Sequence, residues 1–338
     1  MIVSIFPPKP YAKIIPEVSI MSNTQEKEIK LVSTTAGREK LFRLPLFQDT
    51  LIQESRKTLT LINRYFDTPD RKLTAAGMAY RIRETDGREW EATVKTRGRT
   101  VNGFSQRGEY TQPVTVAEPV LSGFAPGIDE QLRELLAGEA LVPLFTVKVT
   151  RELALLQLSD ATVVELSVDR GEISAGGRQA PIDEIELELK QGADEDLLRY
   201  TAALSREILL LPEEKSKFRR GMELLGYKKF KDTKDEVPKF AGQEAPDVVW
   251  QALLQYEAAL CLDLLKNQWE NGLAERSAEL QNGLKLCRAL WLLGRSFLTE
   301  TGWQEGLALL ADTDSTEKLA ADLWVMLELS CRKMKNKK

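Results

Sequence analysis

The chain has 338 residues, of which 43% are hydrophobic, and a formal net charge of −4. This length allows one large or two ordinary folded domains, and the charge gives no broad basic field for nucleic acid. The chain contains no histidine, which excludes Ser-His-Asp and Cys-His catalysis and His-ligated zinc. Its three cysteines lie far apart in sequence and show no metal-ligand spacing. We expect them to pack as small apolar residues in helices, which suits a protein of the reducing cytoplasm. Carboxylates, lysines and arginines must therefore carry any chemistry.

The first 22 residues predict a poorly ordered leader. Residues 1–20 hold four prolines and no apolar run of signal-peptide length. Met21 is followed at once by a strand-like segment, which leaves both Met1 and Met21 open as the natural start. We expect that no later segment is long and apolar enough to span a membrane, and therefore expect no membrane association.

Strand-like alternation dominates the chain from residue 26 to about residue 190, with turn residues such as Asp86-Gly87 between the segments. Helical patterns interrupt the strands at 34–44, 128–137 and 194–210. The eight predicted strands are "EKEIKLV", "RKTLTLINRYFDT", "MAYRIRET", "EWEATVKTRG", "SQRGEYTQPV", "LFTVKVTRELALLQL", "TVVELSVDRGEIS" and "DEIELELKQG".

The last third of the chain has a different pattern. Residues 228–246 are charged and contain prolines, which indicates a linker. Three amphipathic segments in 247–335 predict a small all-helical bundle whose Trp and Leu stripes form its core. The predicted fold class is therefore α+β: a β-rich domain over 23–227 with flanking helices, then a helical domain.

Charged residues recur on one face of the predicted strands. In "QEKEIKL", Glu26, Glu28 and Lys30 share one face, opposite Ile29 and Leu31. Five further strands repeat this design with Arg81 and Arg83; Glu91 and Lys95; Arg107 and Glu109; Glu165 and Asp169; and Glu186, Glu188 and Lys190.

Three interpretations of these faces stay open from the residues alone. A solvated outer sheet face would be polar, but it would also hold Ser, Thr, Asn and Gln. A closed antiparallel barrel would turn the charged faces inward and bury an apolar outer face under the helices. Carboxylates without histidine then favour Mg²⁺ or Mn²⁺, and guanidinium groups match phosphate oxygens. A nucleic-acid groove is the third possibility.

An ordered set of motifs resembles the CYTH domain, the triphosphate tunnel metalloenzyme superfamily. "EKEIK" fits the Glu-x-Glu-x-Lys signature, and the resemblance covers about residues 23–227. The motifs that follow in family order are "RYFDTPDRKLTAAGMAYRIRE", "VKTRG", "RGEY", "VDRG", "IELELK" and "KSKFRRG". The resemblance implies an eight-stranded antiparallel tunnel that binds Mg²⁺ or Mn²⁺ and hydrolyses inorganic triphosphate to pyrophosphate and phosphate.

The resemblance also assigns roles to residues of this chain. Glu26 and Glu28 are expected to be catalytic, with Glu26 orienting the attacking water. The expected metal-binding carboxylates are Glu26, Glu28, Glu109, Glu186 and Glu188. The expected phosphate-binding residues are Lys30, Arg81, Arg83, Lys95, Arg107, Lys217 and Arg219. Further inward positions are Arg151, Glu165 and Asp169; for Arg151 and Asp169 a structural ion pair is an equal possibility.

Other functions of the same tunnel stay open at this point. They are hydrolysis of an organic triphosphate, such as thiamine triphosphate or a nucleotide, cyclisation of ATP, and non-catalytic binding of polyphosphate. The helical region resembles a short, divergent CHAD domain, but it lacks that domain's histidines and basic excess. The expected partner is inorganic triphosphate or another short polyphosphate, and no nucleic acid is expected. The turn "YFDTPD" predicts local hydrogen bonding by Asp67 and Asp70.

Overall fold

One antiparallel sheet closes on itself in the computed structural model, which describes residues 24–101, 104–228, 230, 237–273, 276–294 and 315–331. Eight strands run round the barrel in the order β1-β9-β8-β7-β2-β3-β4-β6, and pairing of β6 with β1 closes it. Two short strands extend it, because β5 pairs with β6 and β10 pairs with β1. The strands are β1 Thr24–Val32, β2 Lys57–Asp67, β3 Ala79–Thr85, β4 Glu89–Lys95, β5 Arg99–Val101, β6 Phe104–Val114, β7 Val142–Gln157, β8 Val163–Ala175, β9 Arg178–Gln191 and β10 Leu211–Pro212. The predicted eight-stranded tunnel is confirmed.

Helices flank the barrel and follow it. The predicted pattern at 34–44 corresponds to α1, and α2, which the sequence did not predict, begins at Pro45, a residue that suits the first turn of a helix. The patterns at 128–137 and 194–210 correspond to α4 and α5, whereas the sequence did not predict α3 and α6. The described helices are α1 Thr35–Leu41, α2 Pro45–Thr50, α3 Lys72–Ala75, α4 Pro126–Leu136, α5 Asp194–Ser205, α6 Lys217–Leu224, α7 Pro246–Glu270, α8 Ala278–Leu293 and α9 Thr316–Cys331.

The outer face of the barrel is apolar and covered. Ile29, Leu166 and Leu187, on β1, β8 and β9, are fully buried in a cluster that includes Tyr200 of α5 and continues into the C-terminal helices. A second cluster packs the outer faces of β3 and β4 against α4, with Leu132 at its centre. The expected arrangement, in which helices cover an apolar exterior, is therefore confirmed.

One end of the barrel interior is also apolar. Ile173 lies on the same face of β8 as Asp169, and Ile182 lies on the same face of β9 as Glu184, because side chains of a strand alternate. The cluster there contains Leu61, Tyr65, Phe145, Val147, Val149, Ile173, Ala175, Ile182 and Met222. Met222 belongs to α6, so this helix plugs the interior. The alternation of charged residues predicts the charged part of the interior but not this plug.

The C-terminal helices form the predicted bundle on the outside of the barrel. The indole Nε1 of Trp250 on α7 donates to the carbonyl of Leu290 at 2.6 Å, and its ring lies 6.1 Å from that of Trp291. In length and composition, α7 could cross a membrane, which corrects the expectation that no segment approaches a span. Apolar residues of α7 such as Leu254 and Leu262 are buried in one cluster with residues of α8 and α9. A central helix of a bundle is apolar in the same way as a membrane-spanning helix.

Candidate active site

Strand β1 supplies three charged side chains to the barrel interior. Glu26, Glu28 and Lys30 are only 8%, 3% and 5% exposed. In the register of the sheet, Glu26 lies opposite Arg107 of β6, and Lys30 lies opposite Glu186 of β9. Directly opposed residues of neighbouring strands share a face, so closure of the barrel brings acids and bases of three strands together.

The two glutamates of β1 are bound by basic residues of β4 and β6. Lys95 Nζ donates to Glu26 at 2.8 Å, and Arg107 Nε donates to Glu26 at 2.8 Å. Arg107 Nη2 also donates to Glu28 at 2.9 Å, and Glu28 contacts Lys30. Burial would raise the pKa of Glu26, but Lys95, Arg107 and Lys30 outweigh it and hold this pKa well below its ordinary range. Glu26 is therefore an ionised carboxylate.

A second group of charges lies where α6 enters the barrel. Lys217, the first residue of α6, places Nζ 2.7 Å from Asp169 and 2.9 Å from Glu186, and it also contacts Glu184. Arg151 binds Asp169 through Nε and Nη2, both at 2.7 Å, and Nη2 donates to Glu186 at 2.6 Å. Oxygens of the three carboxylates lie within 4.8 Å of one another. The Lys217 ammonium contacts all three of them.

Glu184 belongs to this group, although it was not among the predicted site residues. It is fully buried, and burial raises its pKa to about 7, with Lys217 opposing the shift and Glu186 and Asp169 adding to it. The sequence carried the signal, because Glu184, Glu186 and Glu188 alternate on one face of "DEIELELK". Extending the alternation from Glu186 by two residues toward the start of that strand predicts Glu184 as a further inward carboxylate.

A more exposed part of the interior holds the remaining acids of β8 and β9. Lys190 Nζ lies 2.8 Å from Glu188 and 3.7 Å from Glu165, and the Lys190 side chain is 37% exposed. Burial raises the pKa of Glu188 to about 7, and Lys190 opposes the shift. Glu188 lies opposite Glu28 in the register of β9 and β1. The predicted residues Glu28, Glu165 and Glu188 therefore line one side of the interior.

Two arginines of β3 line the other side. Arg81 lies 3.4 Å from Glu109, and Arg83 lies 3.3 Å from Glu91. Glu109 also lies 3.1 Å from Lys95, which links this side to the Glu26 group. Burial lowers the pKa of Arg83, and the neighbouring Arg81 and Arg151 lower it further. A lowered pKa means that the charge of Arg83 is incompletely compensated, and a bound anion would relieve it.

One predicted phosphate-binding residue lies apart from these charges. Arg219 Nε is 2.9 Å from Glu223 of the same helix, and its guanidinium lies over the ring of Phe230, 5.5 Å from the centroid. Lys217 lies two residues earlier on α6 and reaches the interior. The described ion pairs thus connect the predicted site residues with one another except Arg219, which contacts Glu223 and Phe230.

The carboxylates suit a hard divalent cation. Glu28, Glu186 and Glu188 come from the neighbouring strands β1 and β9 and offer oxygen ligands, as Mg²⁺ and Mn²⁺ prefer. Lys30 already places a positive charge between two of them, because it contacts Glu28 and lies 3.7 Å from Glu186. A divalent cation would therefore compete with ammonium groups for these carboxylates.

The chain is similar to several known proteins. The chain is 34% identical over 207 residues to the inorganic triphosphatase of Haemophilus influenzae; this covers 61% of the chain and 56% of that relative. A solved protein of Bacillus halodurans overlaps 59% of this chain and 98% of its own, with 21% identity and a TM-score of 0.41. The PH1819 protein of Pyrococcus horikoshii overlaps 59% of this chain and 99% of its own, with 20% identity and a TM-score of 0.38. The CYTH domain family model matches residues 24–222, and the chain belongs to this family.

Proposed function

We propose that the protein hydrolyses inorganic triphosphate to pyrophosphate and phosphate inside the barrel, with Mg²⁺ or Mn²⁺ as cofactor. The observation that carries the proposal is the mixed set of buried acids and bases on the inner face. Lys95 and Arg107 bind Glu26, and Lys30 lies between Glu28 and Glu186. A site for a metal and a polyanion needs both signs of charge in one space.

The curated relative supports the reaction class. It is named an inorganic triphosphatase, and the matched region spans the barrel of this chain. The chain spans about half the length of that relative (56%). The relative's activity is therefore proposed for this protein on the basis of the matched region. The predicted cytoplasmic location also stays a prediction.

The acids argue against a protein that only binds polyphosphate. Buried carboxylates such as Glu26 and Glu28 would repel a bare polyanion, and a simple anion binder would gain by losing them. When bound, a divalent cation would neutralise charge on the phosphate oxygens and make the phosphorus more electrophilic. Glu28, Glu186 and Glu188 are the residues that would hold it.

The chain's own residues would position the triphosphate and water. Lys95, Arg107 and Lys30 would exchange carboxylate partners for phosphate oxygens and offset the charge that builds on the pyrophosphate leaving group. Ionised Glu26 would accept a hydrogen bond from the water that attacks the terminal phosphorus. The new P–O bond forms as the bond to the leaving pyrophosphate breaks, and the water proton passes to solvent or to a carboxylate.

The plugged interior favours a short substrate. Beyond Arg151, the interior narrows to apolar side chains such as Val149 and Phe145, which are 2% and 5% exposed. A phosphate group placed there would lose its hydration without polar partners. A triphosphate would therefore enter and leave through the same mouth of the barrel.

The proposal is tested by phosphate release from inorganic triphosphate, ATP and thiamine triphosphate, each with Mg²⁺, Mn²⁺ or EDTA. We expect EDTA-sensitive release that is fastest with inorganic triphosphate. Activity confined to ATP or thiamine triphosphate would assign an organic substrate instead. Absence of turnover with all three would contradict the proposed hydrolysis.

A further inference from the structure

A short segment links the active-site strand β1 to the C-terminal bundle. Residues 211–217 begin with β10, in which Pro212 pairs with Leu31 of β1. The next amide, that of Glu213, donates to the carbonyl of Lys30 at 2.8 Å. The segment is thus hydrogen-bonded to the residue that carries one of the interior ammonium groups. A shift of the segment would move the backbone of Lys30.

The bundle binds this segment through a buried ion pair. Lys266 Nζ of α7 donates to Glu213 Oε2 at 3.0 Å, and the two side chains are 11% and 10% exposed. One residue before β10, the carbonyl of Leu210 accepts a hydrogen bond from Trp324 Nε1 of α9 at 2.9 Å. Trp324 is 1% exposed. Two helices of the bundle therefore fix the position of the segment.

The other end of the segment carries Lys217 into the interior. Glu213 Oε1 accepts a hydrogen bond from the amide of Lys215 at 2.9 Å, which folds the chain toward α6. Ser216 then caps α6, because its hydroxyl accepts from the amide of Arg219 at 3.1 Å. Lys217, the next residue, lies 2.7 Å from Asp169. Glu213 therefore contacts β1, the bundle and the entry to α6 at once.

We propose that Lys266 and Glu213 are positioning residues for the active site. Through them the bundle sets the places of the Lys30 backbone and of the Lys217 ammonium within the barrel. Displacements of about 1 Å at a catalytic site can lower rates by roughly a hundredfold, so a remote ion pair can control turnover. This inference rests on the proposed function, and it gives the C-terminal bundle a role in that reaction.

The test compares three variants with the wild-type full chain. Lys266→Met removes the pair with Glu213, and Lys266→Arg keeps the charge. Arg199→Met is the matched control, because Arg199 Nε of α5 lies 3.5 Å from Glu328 of α9 and so crosses the same barrel–bundle contact without touching residues 211–217. The measurements are KM and kcat for inorganic triphosphate with Mg²⁺, and Tm for each protein.

We expect Lys266→Met to raise KM about tenfold, and Lys266→Arg to restore KM to within about threefold of wild type. Arg199→Met should lower Tm and leave KM unchanged. Equal KM values for Lys266→Met and Arg199→Met would overturn the inference and leave the proposed function intact. A wild-type protein without turnover would instead contradict the proposed function. If Lys266→Met fails to fold, Glu213→Gln, which preserves shape, takes its place with the same expected rise.

Discussion

At the scale of single residues, the interior is a network of buried ion pairs. Arg107 binds both Glu26 and Glu28, and Lys217 contacts three carboxylates. Pairing of this kind keeps buried charge tolerable, because an isolated buried charge would shift its pKa or destabilise the fold. In the proposed reaction, the same bases would bind phosphate oxygens, and the carboxylates would hold the metal. The proposed substrate complex would therefore use the same residues with different partners.

Glu28→Gln is predicted to abolish metal-dependent turnover and keep the fold. The side chain is 3% exposed and close in shape to glutamine, so packing is preserved while the negative charge is lost. We expect phosphate release to fall at least about a hundredfold, since metal binding and the charge balance of Lys30 and Arg107 both depend on this carboxylate. Far-ultraviolet circular dichroism serves as the control for folding. Full activity in the folded variant would refute the role of Glu28.

Asp67→Ala is predicted to destabilise the protein without a direct effect on the site. The fully buried carboxylate accepts hydrogen bonds from the amides of Thr68, Leu73 and Thr74 at 2.7, 2.9 and 2.9 Å, as the turn "YFDTPD" predicted. Loss of these bonds should lower the free energy of unfolding by about 2–4 kcal/mol, measured by urea denaturation. Asp70→Ala, at an exposed position, should change it by less than about 1 kcal/mol. A stable Asp67→Ala variant with lost activity would contradict the structural role.

At the scale of elements, α6 divides the interior into an apolar end and a charged end. Its first residue, Lys217, lies among carboxylates, and Met222, five positions later, lies in the apolar cluster. The aromatic side chains of Tyr65 and Phe145 stack with their centroids 4.7 Å apart beneath Phe218. The helix thus closes one end of the barrel and delivers a charged side chain to the site from its first residue.

Gly221→Ala is predicted to disturb this helix. A Cβ at Gly221 would lie 2.2 Å from Cε2 of the Phe145 ring, so either the ring or the helix must move. In an exposed helix the same change would stabilise the protein by up to about 1 kcal/mol, so the direction of the effect is diagnostic. We expect a lower Tm and a lower kcat/KM. In the matched variant Gly127→Ala of α4 the new methyl meets nothing within 4 Å, and neither value should fall. A raised Tm in Gly221→Ala would contradict the seating of α6.

The alternation of charged residues predicted the site largely because a strand has only two faces. Once Glu26 was placed inward, the positions of Glu28 and Lys30 followed. Alternation could not predict which end of the interior is apolar. Val147 and Arg151 share one face of β7, and a two-residue period does not show how far along the barrel each inward side chain lies. The partners of Lys217 depend on how α6 enters the barrel, which is a tertiary contact. Arg219 lies on the same short helix, and only its packing shows that it binds Glu223.

At the scale of the whole molecule, the barrel and the bundle share one apolar core. Leu187 of β9, Tyr200 of α5 and Trp324 of α9 belong to a single buried cluster. The predicted boundary at 228–246 therefore separates two patterns in sequence, while the folded parts pack together. The resemblance of the bundle to a CHAD domain stays a prediction. The ion pair between Lys266 of the bundle and Glu213 gives the bundle a structural role beside the barrel.

The central claim is that a metal and a triphosphate bind together inside the barrel. The most direct measurement is an anomalous difference map from crystals of the full chain grown with Mn²⁺ and inorganic triphosphate. We predict a manganese peak within bonding distance of the carboxylates of Glu28, Glu186 or Glu188, and phosphate density against Lys30 and Arg107. Manganese and triphosphate bound outside the barrel, with the interior ion pairs unchanged, would contradict the account.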